Sequence, residues 1–183
     1  MARTLKTIQT LSRFARVIAT IVFVCSIIGA VGSAVGVVAI AVVDIMGIDL
    51  TAFSEILEIT EPLNLDNEYY VEILALIYCI GEIIVSKAAI SYFKSEIYAG
   101  TPFTHRGANE MRRLSVFAVV VPIAVSFAQS LAISVLSLFI ENTQMVMSYE
   151  ADISLGIFLL VLSVIFKYGA EITEQAPGAH GGI

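Results

Sequence analysis

Ser86–Leu114, SKAAISYFKSEIYAGTPFTHRGANEMRRL, decides the fold. It holds Lys87, Lys94, Arg106, Arg112 and Arg113, half of the chain's ten basic residues, and long apolar runs flank it on both sides. Its centre reads as a turn between two helices. Gly100 suits the left-handed conformation that ends a helix, and Thr101-Pro102 stops its continuation. Thr104 offers a hydroxyl to cap the next helix. A basic turn between two apolar helices belongs on the cytoplasmic side of a membrane.

The rest of the chain fits that placement. Apolar residues make up 58% of it and the mean hydropathy is +0.90, against about 45–50% apolar for a soluble domain. They come in blocks, at 17–43, 71–93, 114–140 and 153–168. Three of these meet the roughly 20 residues a spanning helix needs, and the last is short. The expectation is an all-α integral membrane four-helix bundle, one domain over 1–175. The formal charge of −6 hides a segregation of sign. Every Lys and Arg lies in or borders the N-terminus, the hinge or the C-terminal end, and the connections 44–70 and 141–152 carry acidic residues and no basic ones. This pattern places both termini in the cytoplasm and the protein in a cell membrane, crossing it several times. Membrane lipid is the expected partner of the basic inner faces, which makes direct nucleic-acid binding an unnecessary explanation of the charge.

Met1–Arg16, with Leu5, Ile8, Leu11 and Ala15 among four basic residues, reads as an amphipathic lead-in lying on anionic headgroups. A signal peptide is the rival reading, but the run 17–43 is longer than the roughly 7–15 apolar residues of a signal sequence. Inside that run Gly29, Gly32, Ser33 and Gly36 are candidates for close helix packing, Gly32 and Gly36 as a GxxxG pair. In the acidic connection, Phe53, Ile56 and Leu57 predict a short amphipathic helix over 51–60, flat on the outer surface and stopped by Pro62. The acidity there reads as a solvated loop, with a site for a cationic peptide as the sharper alternative. Residues 176–183 are expected to be a disordered tail.

The candidate chemistry centres on Glu82, near the middle of the second span, with Tyr78 and Ser86 one turn away on its face. A carboxyl group at that depth is costly unless it faces the bundle. Ser126, Ser130, Ser134 and Ser137 line one face of the third span, flanked by Gln129. That face is expected to turn inward, with Ser126, Gln129 or Ser130 meeting Glu82. The cluster reads either as a structural hydrogen bond or as a proton, cation or ligand contact. Pro122 should free a carbonyl one turn earlier, for a neighbouring helix to satisfy. No histidine lies in a span, so the serines have no base and no hydrolase is expected. Cys25 and Cys79 sit in apolar runs without ligand-spaced partners, and nucleotide-binding motifs are absent. Neither a metal, nor a cofactor, nor enzyme activity is expected.

Gly100, Pro102, Phe103 and Thr104, followed by Arg112-Arg113-Leu114 and by Phe166-Lys167-Tyr168-Gly169-Ala170-Glu171, resemble a bacterial membrane-protein family known as domain of unknown function 2975. The order and spacing fit across nearly the whole chain. The tail departs from the family's pattern, because Ala176-Pro177-Gly178 intervenes where acidic and polar residues usually follow. The resemblance implies four spans, a bacterial inner-membrane location and no known activity. It also implies association with small helix-turn-helix regulators or another membrane protein. The leading expectation is a non-enzymatic sensing, regulatory or immunity-type protein that signals through the hinge residues Gly100, Pro102, Phe103, Thr104, Arg112 and Arg113. The alternative is a small transporter or channel subunit built on Glu82.

Overall fold

The computed structural model describes residues 2–47, 65–99, 104–138 and 153–175. The predicted surface helix at 51–60, the hinge residues Gly100, Pro102 and Phe103, and the tail from 176 lie outside them. The chain is an all-α four-helix bundle of α1 (Ala2–Met46), α2 (Leu65–Ala99), α3 (His105–Leu136) and α4 (Ser154–Gln175). Each helix contains a segment long and apolar enough to cross a membrane. Phe127 (71% exposed), Val164 (67%) and Ile28 (66%) show how apolar the outer surface is. Helices greasy on the outside as well as at their contacts are those of a possible multi-pass membrane protein.

α1 is one helix of 45 residues, about 68 Å long. The basic lead-in therefore continues straight into the first apolar run instead of bending onto a surface. The reason is local: no Gly or Pro occurs between Ala2 and Gly29, so nothing interrupts the ladder of backbone hydrogen bonds. The helix ends where Gly47 takes φ +60° and its N–H donates to the Asp44 carbonyl at 3.2 Å.

α1 and α2 run antiparallel. Ser12 meets Glu96, Gly29 approaches Cys79, and Gly36 approaches Glu72. The buried serines of α1, Ser12, Ser26 and Ser33, recur at multiples of seven, the period of a left-handed helix pair. Gly29 and Gly36 flank this seam on the same side. Gly32 does not belong to it: a Cβ there would meet nothing within 4 Å. The close approach thus uses Gly29, Ser33 and Gly36, and the GxxxG pair of Gly32 with Gly36 is not the contact.

α2 and α3 form the hairpin read from the hinge. Thr104 is extended (φ −127°, ψ 148°) and its hydroxyl oxygen accepts from the Gly107 N–H at 3.0 Å. Thr104→Ala should cost about 1 kcal/mol, measured as a lower midpoint in thermal unfolding in detergent. Above the turn, Tyr92 packs with Met111 and Leu114, Gly81 lies against Val125, and Gln129 Nε2 donates to the Leu74 carbonyl at 3.1 Å.

α4 is offset. Gly156 lies against Ala118 and Val119, and Leu159 and Phe166 pack on the Tyr92–Met111–Leu114 cluster. Its first turn is level with the middle of α3, roughly 16 residues or ~24 Å short of that helix's far end. α4 therefore covers the hinge half of α3. Among the described residues, close packing joins only helices adjacent in sequence, and α1 does not pack closely on α4.

Candidate functional site

The sequence-predicted cluster is only partly assembled. Glu82 is half-buried, Ser86 buried and Tyr78 exposed. Cys79 faces α1 and Gly81 faces α3, so Glu82, three residues after Cys79, belongs to the stripe of α2 on the α1 side. Gln129 and the neighbourhood of Ser126 meet the opposite side of α2. Gln129 donates to Leu74, and the Ser126 hydroxyl is buried without a hydrogen-bond partner. The expected Glu82–Ser126 pairing does not form.

Nor does the rest of the serine face turn inward. Ser130, Ser134 and Ser137 are exposed. Their hydroxyls donate to the carbonyls of Ser126, Ser130 and Ser134 at 2.8, 2.9 and 2.9 Å. A serine that returns its proton to the preceding turn has no donor left unsatisfied, so it can face an apolar surround. The inward expectation overlooked this local solution.

A different polar group occupies the bundle, close to the hinge. Glu96 in α2 is 8% exposed. Its carboxylate is hydrogen-bonded by the hydroxyls of Ser12 in α1 and Tyr92 one turn earlier in α2. Both donors are themselves buried. Apolar side chains from all four helices, including Leu11, Phe93, Met111, Leu114 and Leu159, line an open cleft of about 330 Å³ beside the cluster. The Tyr92 and Phe93 rings stand edge to face at 5.1 Å. Among the described residues no lysine or arginine forms an ion pair with Glu96. The two hydroxyls are what hold the carboxylate in place, and they tie the lead-in of α1 to the last turn of α2 before the hinge.

Ser12, Tyr92 and Glu96 were not among the residues the sequence singled out. A signal existed: Tyr92 and Glu96 are four apart on one helix face, and Ser12 starts the small-residue repeat continued by Ser26 and Ser33. The basic hinge residues remain outside this cluster. Arg112 and Arg113 are exposed, the Arg113 guanidinium lies 5.7 Å from the Phe117 ring centre, and the Arg112 carbonyl accepts from the Ser115 hydroxyl at 2.7 Å. Among the described residues no group of three or more His, Cys, Asp or Glu side chains is placed to hold a metal ion. No family model, curated protein or solved structure matches the chain.

Proposed function

We propose that this is a non-enzymatic membrane protein of the sensing or regulatory kind, with its responsive element at the basic hinge end, on the cytoplasmic side. One observation carries the reading: among the described residues the buried carboxyl group is that of Glu96, beside the hinge, where side chains of all four helices converge. A change in its hydrogen bonds alters how α1 seats on α2 immediately before the turn. The likeness of the hinge and of Phe166–Glu171 to the family named above agrees with this reading and adds no activity to it. A helix-turn-helix regulator or a second membrane protein is the kind of partner such a hinge would address. The transporter reading has less support, because Glu82 and the serines of α3 do not make a joint polar path.

The test has two arms, both in a background with Cys25 and Cys79 replaced by serine. In membranes, His105→Cys should be labelled only from the cytoplasmic side, and Glu58→Cys and Asn142→Cys only from outside. Glu96→Gln should then change the alkylation rate at His105→Cys by at least about threefold, roughly the effect of 0.7 kcal/mol on a local opening equilibrium. Glu82→Gln should leave that rate unchanged. Proton or alkali-cation flux in reconstituted vesicles that disappears with Glu82→Gln would establish the transporter instead.

A further inference from the structure

A second concavity lies on the outside of the α1–α2 pair, separate from the Glu96 cleft. One face of α1 lines it, from Arg13 and Arg16 through Val17, Ile21 and Val24, and Ile97 of α2 closes the arginine end; its volume is about 590 Å³. Its polarity is one-ended. Both arginines are exposed, they stand one turn apart, and neither is held in an ion pair among the described residues. Thr20, the polar side chain deeper in the groove, donates to the Arg16 carbonyl at 2.8 Å and so presents no free donor.

The length of the groove identifies its occupant. From Arg13 to Cys25 it extends ~18 Å along the helix, close to the ~15 Å depth of one bilayer leaflet. A ligand that fits has an anionic head bound by two guanidinium groups and an apolar chain reaching toward the bilayer centre. Guanidinium groups bind phosphate oxygens through paired hydrogen bonds, and the surrounding face of α1 is apolar and exposed, with Phe14, Ile18 and Ile28 on it. We infer that the α1–α2 groove is a binding site for an anionic phospholipid, with its phosphate at Arg13 and Arg16 and an acyl chain along Val17, Ile21 and Val24. This goes beyond the hinge reading and requires only that the chain lies in a bilayer.

Titration of the purified full-length protein in neutral detergent, read by native mass spectrometry, tests the site. Phosphatidylglycerol should bind at least tenfold more tightly than phosphatidylcholine. The double variant R13Q/R16Q should lose roughly thirtyfold in phosphatidylglycerol affinity, about fivefold per arginine, and much less in phosphatidylcholine affinity, because the choline ammonium already offsets the charge of that lipid's phosphate. V24W, which fills the chain end without touching charge, should weaken both lipids. Equal binding of the two lipids by the unaltered protein overturns the site, whatever the variants do. So does R13Q/R16Q behaving like the unaltered protein, and so does V24W leaving both affinities intact.

Discussion

Glu96→Ala is expected to lower the stability of the folded protein by about 1–3 kcal/mol, because it leaves the buried Tyr92 hydroxyl without its acceptor and removes the Ser12 contact between α1 and α2. Tyr92 is 3% exposed, so its hydroxyl cannot turn to solvent when its acceptor is removed. A buried donor left unmade costs roughly 1–3 kcal/mol. The loss is partly offset because the variant no longer buries a carboxylate. Glu96→Gln keeps one acceptor oxygen and nearly the same shape, so it should lose only about 1 kcal/mol. Ser12→Ala removes a single donor and should fall in the same range. Denaturation by graded addition of sodium dodecyl sulfate, followed by far-ultraviolet circular dichroism, measures all three. In a double-mutant cycle, Ser12→Ala with Glu96→Ala should cost less than the two single losses added together, since both single variants break the same Ser12–Glu96 contact. Strict additivity, or a Glu96→Ala protein as stable as the parent, would show that the cluster does not hold α1 to α2.

The distance between what the sequence predicted at Glu82 and what the structure places at Glu96 has a physical origin. Block length is a local property, so the four apolar helices, the hairpin at the hinge and the Thr104 cap could be read directly. Which side of a helix meets which neighbour depends on the register between helices. That register is set by contacts such as Gly29 with Cys79 and Gly81 with Val125, between residues far apart in the chain. Glu82 and Ser126 stand at one level, as Gly81 against Val125 shows, but level says nothing of azimuth, and the two lie toward different sides of α2. The serine stripe misled for another reason. Its periodicity is genuine, but three of its hydroxyls are satisfied within their own helix, and periodicity alone cannot distinguish a stripe that needs partners from one that does not. Glu96 was obscured by its neighbours, because a carboxylate next to a basic turn reads as a solvated surface group. Only the straight continuation of α1 through Ser12 brings a helix over it.

The offset of α4 was equally illegible, and it leads to the second large effect. Pro122 has no N–H, so the Ala118 carbonyl one turn earlier lacks its helical donor. The structure sets the backbone of Gly156 against that carbonyl. A Cβ at position 156 would stand 2.8 Å from the Ala118 carbonyl carbon, 2.9 Å from its oxygen and 2.5 Å from Val119 Cγ2. Val119 can rotate, but the Ala118 backbone cannot yield without moving α3 at its proline. Overpacking of this kind costs roughly 1–3 kcal/mol, and glycine-to-alanine in a helix returns about 1 kcal/mol of propensity. Gly156→Ala should therefore destabilise by about 1 kcal/mol. Gly156→Val, with two more carbons and little propensity to gain, should approach 3 kcal/mol. Gly32→Ala is the matched control: its Cβ meets nothing, and it should be neutral or stabilising by up to about 1 kcal/mol. Denaturation midpoints in one detergent rank the three variants. If Gly156→Val unfolds with the parent while Gly32→Ala does not, α4 does not rest on the carbonyl that Pro122 releases, and its place beside the hinge half of α3 is wrong.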